Sequence, residues 1–219
     1  MLKLQSILKA TVCLVAVALA AMGCSQDEWA GQSVQKGNTT IIASFEGGGA
    51  DTRTSVKTSG SNNEVVWNKN DAFGLFYTKG EVSGVEPFTC PNADGSSTSA
   101  KFTGTLNTGV TTSYAVYPYQ DGMKLNGNTV SMTLPATFAY TEASNGPMYA
   151  DAQDINAELH FKHLAGLLKL TVSEGIKAEA KKFVITADNA IAGTCTADLS
   201  TDPAPFLTPA NNGSKTITV

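Results

Sequence analysis

Two histidines, four cysteines and a single arginine are the side chains in this chain of which chemistry could first be asked. His160 and His163 lie three residues apart in an alternating apolar stretch. On a regular strand an odd offset turns them to opposite faces, so they do not share a metal there. The cysteines show no CxxC and no Cys-His spacing of the zinc kind. Cys90 and Cys195 are far apart in sequence, and either a disulfide between them or two free buried thiols is open. No GxSxG, HExxH, GxxxxGKS or GxGxxG motif occurs. Gly47-Gly48-Gly49 is not followed by a helix start carrying Lys and Ser or Thr, and reads as a connector. Carboxylate pairs such as Asp151/Asp154 fall in loops. The residues therefore predict no catalytic site, no metal and no cofactor, and a role other than enzyme.

The elements that would position these residues begin with an export segment. Lys3 and Lys9 precede an apolar run from Val12 to Met22, which is too short to span a bilayer as a stable helix. A basic start, a short apolar run and small residues at its end describe a secretory signal. The end, Ala21-Met22-Gly23-Cys24, resembles the lipobox of bacterial lipoproteins. That resemblance implies cleavage before Cys24, lipidation of Cys24, and a protein held at a membrane by its acyl chains. Residues 1–23 are then a signal peptide. The acids Asp27 and Glu28 just behind the cysteine resemble the signal that sends some lipoproteins to the outer face of the outer membrane. Residues 24–38 read as a polar flexible tether of roughly 20 Å reach.

Formal net charge is −4. Losing Lys3 and Lys9 with the signal makes the mature chain more acidic still, which disfavours nucleic acid as a partner. Charged residues make up only 16 %, and Thr, Ser, Gly and Asn are plentiful, as in exported β proteins. From Thr39 onward the period is two. Ile41, Ala43 and Phe45 share a face, as do Phe73, Leu75 and Tyr77, and Val130, Met132 and Leu134. Leu159, Phe161 and His163 alternate with His160 and Lys162 until Leu164-Ala165-Gly166 breaks the register. One helical turn is expected within Ile176–Phe183. Short strands with Gly-, Asn- and Asp-rich turns predict an all-β chain, an antiparallel β-sandwich.

Several motifs then fall in order. After the lipobox and the first strand come Thr52-Arg53-Thr54 and Trp67-Asn68-Lys69-Asn70-Asp71-Ala72-Phe73-Gly74-Leu75-Phe76. Tyr114-Ala115-Val116-Tyr117-Pro118-Tyr119, Thr133-Leu134-Pro135, Pro147-Met148-Tyr149-Ala150 and Phe161-Lys162-His163-Leu164 follow. The series resembles the fimbrillin family, the Mfa-like subunits of type V pili. The resemblance implies two transthyretin-like β-sandwich domains, the first expected over 39–174 and the second beginning at 175 and cut short at 219. It also implies a lipid-anchored location at the outer membrane and cell surface, and assembly into a fimbrium by strand exchange with other pilus subunits. Surface ligands on host or bacterial cells would be further partners. In that family an Arg-specific protease can cut after the first strand, which here points to proteolytic processing at Arg53. The residues themselves give Trp67 and Phe73 core roles, and make Asp71 an acceptor for turn amides. They put Tyr117-Pro118 at the end of an edge strand. A different reading is a surface glycan-binding lipoprotein of a nutrient-uptake system, with Tyr114, Tyr117, Tyr119, Tyr140 or Tyr149 as sugar platforms.

Overall fold

Among the described residues the period-two patterning is realised as strands. The computed structural model describes residues 36–46, 57–59, 62–64, 66–138, 146–166, 173–177, 181–201 and 205–219. The described residues are all-β apart from one helical turn, Glu174–Lys177, which overlaps the start of the segment expected to hold it. Numbered along the chain, the strands begin with β1 (Lys36–Phe45), β2 (Lys57–Ser59), β3 (Asn62–Glu64), β4 (Trp67–Asn68), β5 (Ala72–Lys79) and β6 (Val82–Thr89). There follow β7 (Asp94–Ser97), β8 (Ser99–Asn107), β9 (Thr111–Tyr117), β10 (Lys124–Asn126), β11 (Thr129–Leu134) and β12 (Met148–Asp151). The last are β13 (Leu159–His163), β14 (Val184–Thr186), β15 (Gly193–Asp198), β16 (Thr208–Pro209) and β17 (Thr216–Thr218).

The all-β expectation holds, but where an antiparallel sandwich is expected the largest sheet closes on itself. Seven strands form a barrel in the order β1-β13-β12-β9-β5-β6-β8, and β8 returns to β1. The physical reason lies in β1, which pairs antiparallel with β8 on one side and parallel with β13 on the other, and so joins two sheet edges. The strand also starts earlier than expected. Lys36, Gly37 and Asn38, placed in the tether by composition, pair with Asn107, Leu106 and Thr105. Tertiary pairing overrides the weak strand preference of Lys, Gly and Asn.

Inward-facing residues fill the barrel, among them Ile41, Phe45, Phe73, Phe88, Phe102 and Phe161. Trp67, fully buried on the short β4, sits at the centre of this aromatic cluster. Its ring stacks on Phe45 at 4.4 Å and meets Phe102, Tyr117 and Phe161 edge-on at 4.9, 5.6 and 5.5 Å. The offset and edge-on arrangements are those that the ring quadrupoles favour.

A second core lies on the outer side of the barrel. Phe76, Val116 and Tyr149 on β5, β9 and β12 pack with Val130 and Met132 of β11 and Ala197 of β15. This is why β5 buries both of its faces, Phe73 and Leu75 inward and Phe76 outward. The covering sheet runs β10-β11-β15-β16. Six residues of β11 pair with β15, from Thr129↔Asp198 to Leu134↔Gly193. Of the strands after the boundary expected at 174/175, β15 and β16 complete a sheet begun before it, while β14 and β17 pair with each other as a separate two-stranded sheet. Tyr117-Pro118 also needs correcting: β9 is an interior strand, between β5 and β12. It ends there because proline has no N–H to continue a ladder.

Candidate functional site

Neither residue singled out for processing is among those described: Cys24 and Arg53 both lie outside them, as do Gly47–Gly49 and Tyr140. What the structure does show in detail is the seat of β1, the strand between those two positions. Ladder pairing to β8 runs over nine residues, Lys36↔Asn107 to Ser44↔Ser99. Pairing to β13 covers three, Ala43↔Leu159 to Phe45↔Phe161. Ile41, Ala43 and Phe45 are buried, as their alternation predicts, while Ile42 points outward and is 45 % exposed.

Side chains secure the strand at both ends. Trp67 Nε1 donates to the carbonyl of Ala43 at 2.9 Å. Just past the strand, the Glu46 amide donates to the carbonyl of Phe161 at 3.0 Å, and the Glu46 carboxylate pairs with Lys162 at 2.9 Å. At the beginning, Lys36 Nζ meets Glu86 Oε1 on β6 at 2.7 Å, and this bond raises the lysine pKa. The groups holding β1 are thus a ladder on each side, three inward side chains, one indole hydrogen bond and two ion pairs. Together these groups seat an extended strand.

The histidines separate as their offset predicts. His160 faces solvent, and its Nδ1 lies 2.9 Å from Ser44 Oγ across the β1–β13 pair. Hydrogen bonds from Ser44 and then Ser99 hold the Glu158 carboxyl below the usual carboxylate range. Serine, histidine and glutamate thus meet on the surface, but the acid binds the hydroxyl and not the imidazole. That is the reverse of the order in which an acid orients a histidine to activate serine. His163 lies half-buried on the Leu159/Phe161 side, and burial pushes its pKa down to about 4. Among the described residues no group of three or more His, Cys, Asp or Glu is placed to hold a metal ion.

Asp71 acts as its position before a strand predicts. Oδ2 accepts from the Asn68 amide at 2.8 Å and Oδ1 from the Tyr117 hydroxyl at 2.9 Å. The Trp67–Asp71 turn is therefore tied to β9, with Asn70 at a φ of 70°. Cys90 and Cys195 are free and buried, so the open choice resolves to two thiols. Of the tyrosines considered as sugar platforms, Tyr117 and Tyr149 are buried. Tyr114 and Tyr119 pack in part against the second core, and the Tyr119 hydroxyl donates to Asp121.

Of the two partners of β1, the sequence marks β13 as a strand but does not mark β8. β8 alternates Phe102 and Leu106 with Lys101, Thr103 and Thr105, but Gly104 stands where an apolar residue would complete the signal. Comparison with protein-family models, with curated proteins and with solved structures finds no match for this chain.

Proposed function

We propose that this chain is a structural subunit, or a tip or anchor adhesin, of a cell-surface fimbria. In this reading it is exported as a lipoprotein through Cys24 and assembled by strand exchange with other subunits. The observation that carries the proposal is the seat of β1. The first described strand fills a groove between β8 and β13, and Arg53 follows it in sequence by eight residues. A cut at Arg53 would free β1 from the rest of the chain. Loss of β1 would uncover the positions of Ile41, Ala43 and Phe45. Each large side chain among them contributes up to about 1.5–3 kcal/mol on burial. It would also leave backbone donors and acceptors on two strands, which an extended segment from another subunit could satisfy by β-augmentation. Ile42, outward and half-exposed, adds little to that loss. The ordered motifs from Trp67 to Leu164 support the same assignment through their likeness to fimbrillins.

The test is mild digestion of the folded protein with an Arg-specific protease, followed by N-terminal sequencing and sizing. A new terminus at Thr54, with capture of a synthetic strand peptide patterned on residues 36–46, is the expected result. Resistance of Arg53 under native conditions, or a cut protein that neither loses stability nor takes up the peptide, overturns strand exchange. Lipidation is checked separately: Cys24→Ala should abolish incorporation of labelled palmitate.

A further inference from the structure

The barrel is not closed equally all round. β1 joins β8 through nine pairs and β5 joins β6 through eight, but β6 joins β8 through Thr89↔Thr103 alone. The chemistry of β6 explains the stop. Continuing the antiparallel register would set Phe88 against Gly104 and Pro87 against Thr105, and proline has no N–H to donate. The strands touch closely at that point: a Cβ on Gly104 would lie 2.7 Å from the Pro87 carbonyl oxygen. Beyond it the ladder is missing, and Asn107 keeps its side-chain carbonyl oxygen buried without a hydrogen bond.

One interaction spans this unpaired stretch. Glu86 lies directly opposite Leu75, a core residue, and directly opposite residues of an antiparallel pair share a face. Its side chain is only 16 % exposed. Lys36 lies opposite Asn107 on the far side of β8 and reaches back across that strand to Glu86 at 2.7 Å. We propose that the Lys36–Glu86 ion pair is a strap across the β6–β8 seam, holding closed the part of the barrel where backbone pairing has stopped. The strap belongs to the first residue of β1, so seam closure depends on that residue. This holds whether or not the chain forms fimbriae.

The experiment reads opening of the seam directly. Leu106, on the core side of β8 and 7 % exposed, is replaced by cysteine in the full chain. Labelling of each thiol under native conditions is followed by peptide mass spectrometry. The native Cys195, buried in the other sheet, reports wider unfolding. Adding Glu86→Gln, or Lys36→Met, should raise labelling at position 106 about three- to tenfold and leave Cys195 unchanged. An unchanged rate at 106, or equal rises at both thiols, overturns the strap. Should the Leu106→Cys chain fail to fold, spin labels at the exposed positions Val82→Cys and Thr105→Cys give the same reading. A longer or broader distance distribution with Glu86→Gln is then expected, and an unaltered one overturns the proposal.

Discussion

His163 shows how one side chain couples this fold to pH. Its folded pKa is depressed to about 4 from 6.5 because burial disfavours the imidazolium. Above pH 6.5 the ring is neutral in both states and contributes no pH dependence. As pH falls through the window from 6.5 to about 4, the unfolded chain takes up a proton that the folded chain refuses, and stability is lost. With solvent screening allowed for, the loss is about 1–2 kcal/mol. Urea unfolding of wild type and His163→Gln at pH 7 and pH 4.5 checks this. The wild type should lose more stability than the variant, and parallel losses would exclude His163 as the cause.

At the scale of the strand, pattern reading works where one face is apolar and the other polar. Ile41/Ala43/Phe45, Val130/Met132 and Leu159/Phe161 are all legible because their alternation is complete. β6 and β8 are not, because glycine and proline interrupt them for reasons visible only in the assembled sheet. Gly104 is needed because β6 passes close by: a Cβ at that position would lie 2.9 Å from the Phe88 ring and 2.7 Å from the Pro87 carbonyl oxygen. Gly104→Ala should therefore cost about 1–3 kcal/mol through overpacking against backbone. Gly37→Ala, on β1 with open space around it, should be neutral or stabilise by up to about 1 kcal/mol. Thermal melts of the pair check both outcomes. The register of β1 has its own check: Ile41→Ala should cost about 2–5 kcal/mol and Ile42→Ala much less, since only the former faces the core. The candidate site is legible in part, since β1 itself carries a clear signal. The two strands that hold it, and the ion pair at its start, depend on contacts distant in sequence.

For the molecule as a whole, the informative difference is that one sheet runs across the boundary expected at 174. A second domain beginning near residue 175 is expected only through the likeness to fimbrillins, since the strand patterning itself marks no boundary there. At the break after His163, Leu164, just past the strand, leaves the barrel interior and enters the second core. Of the strands after it, β15 and β16 cover that core, and β14 and β17 pair apart from it. A chain ending at residue 174 should accordingly expose Val130, Met132 and Phe76, bind a hydrophobic dye and lose about 4–8 kcal/mol of stability. A cooperative melt equal to that of the full chain would restore the two-domain division.

The parallel pairing of β1 with β13 also sets a clock. Ser44 and its neighbour His160 are 116 residues apart in the chain. At a synthesis rate of about 5–20 residues per second, the first strand waits about 6–23 s before its parallel neighbour has been made. Contacts so distant in sequence also make folding slow, because the intervening chain must be closed before they form. The earliest strand to be born is thus among the last to be enclosed. For that interval Ile41 and Phe45 need shelter from other chains, so the nascent protein has most need of a holding chaperone at its beginning.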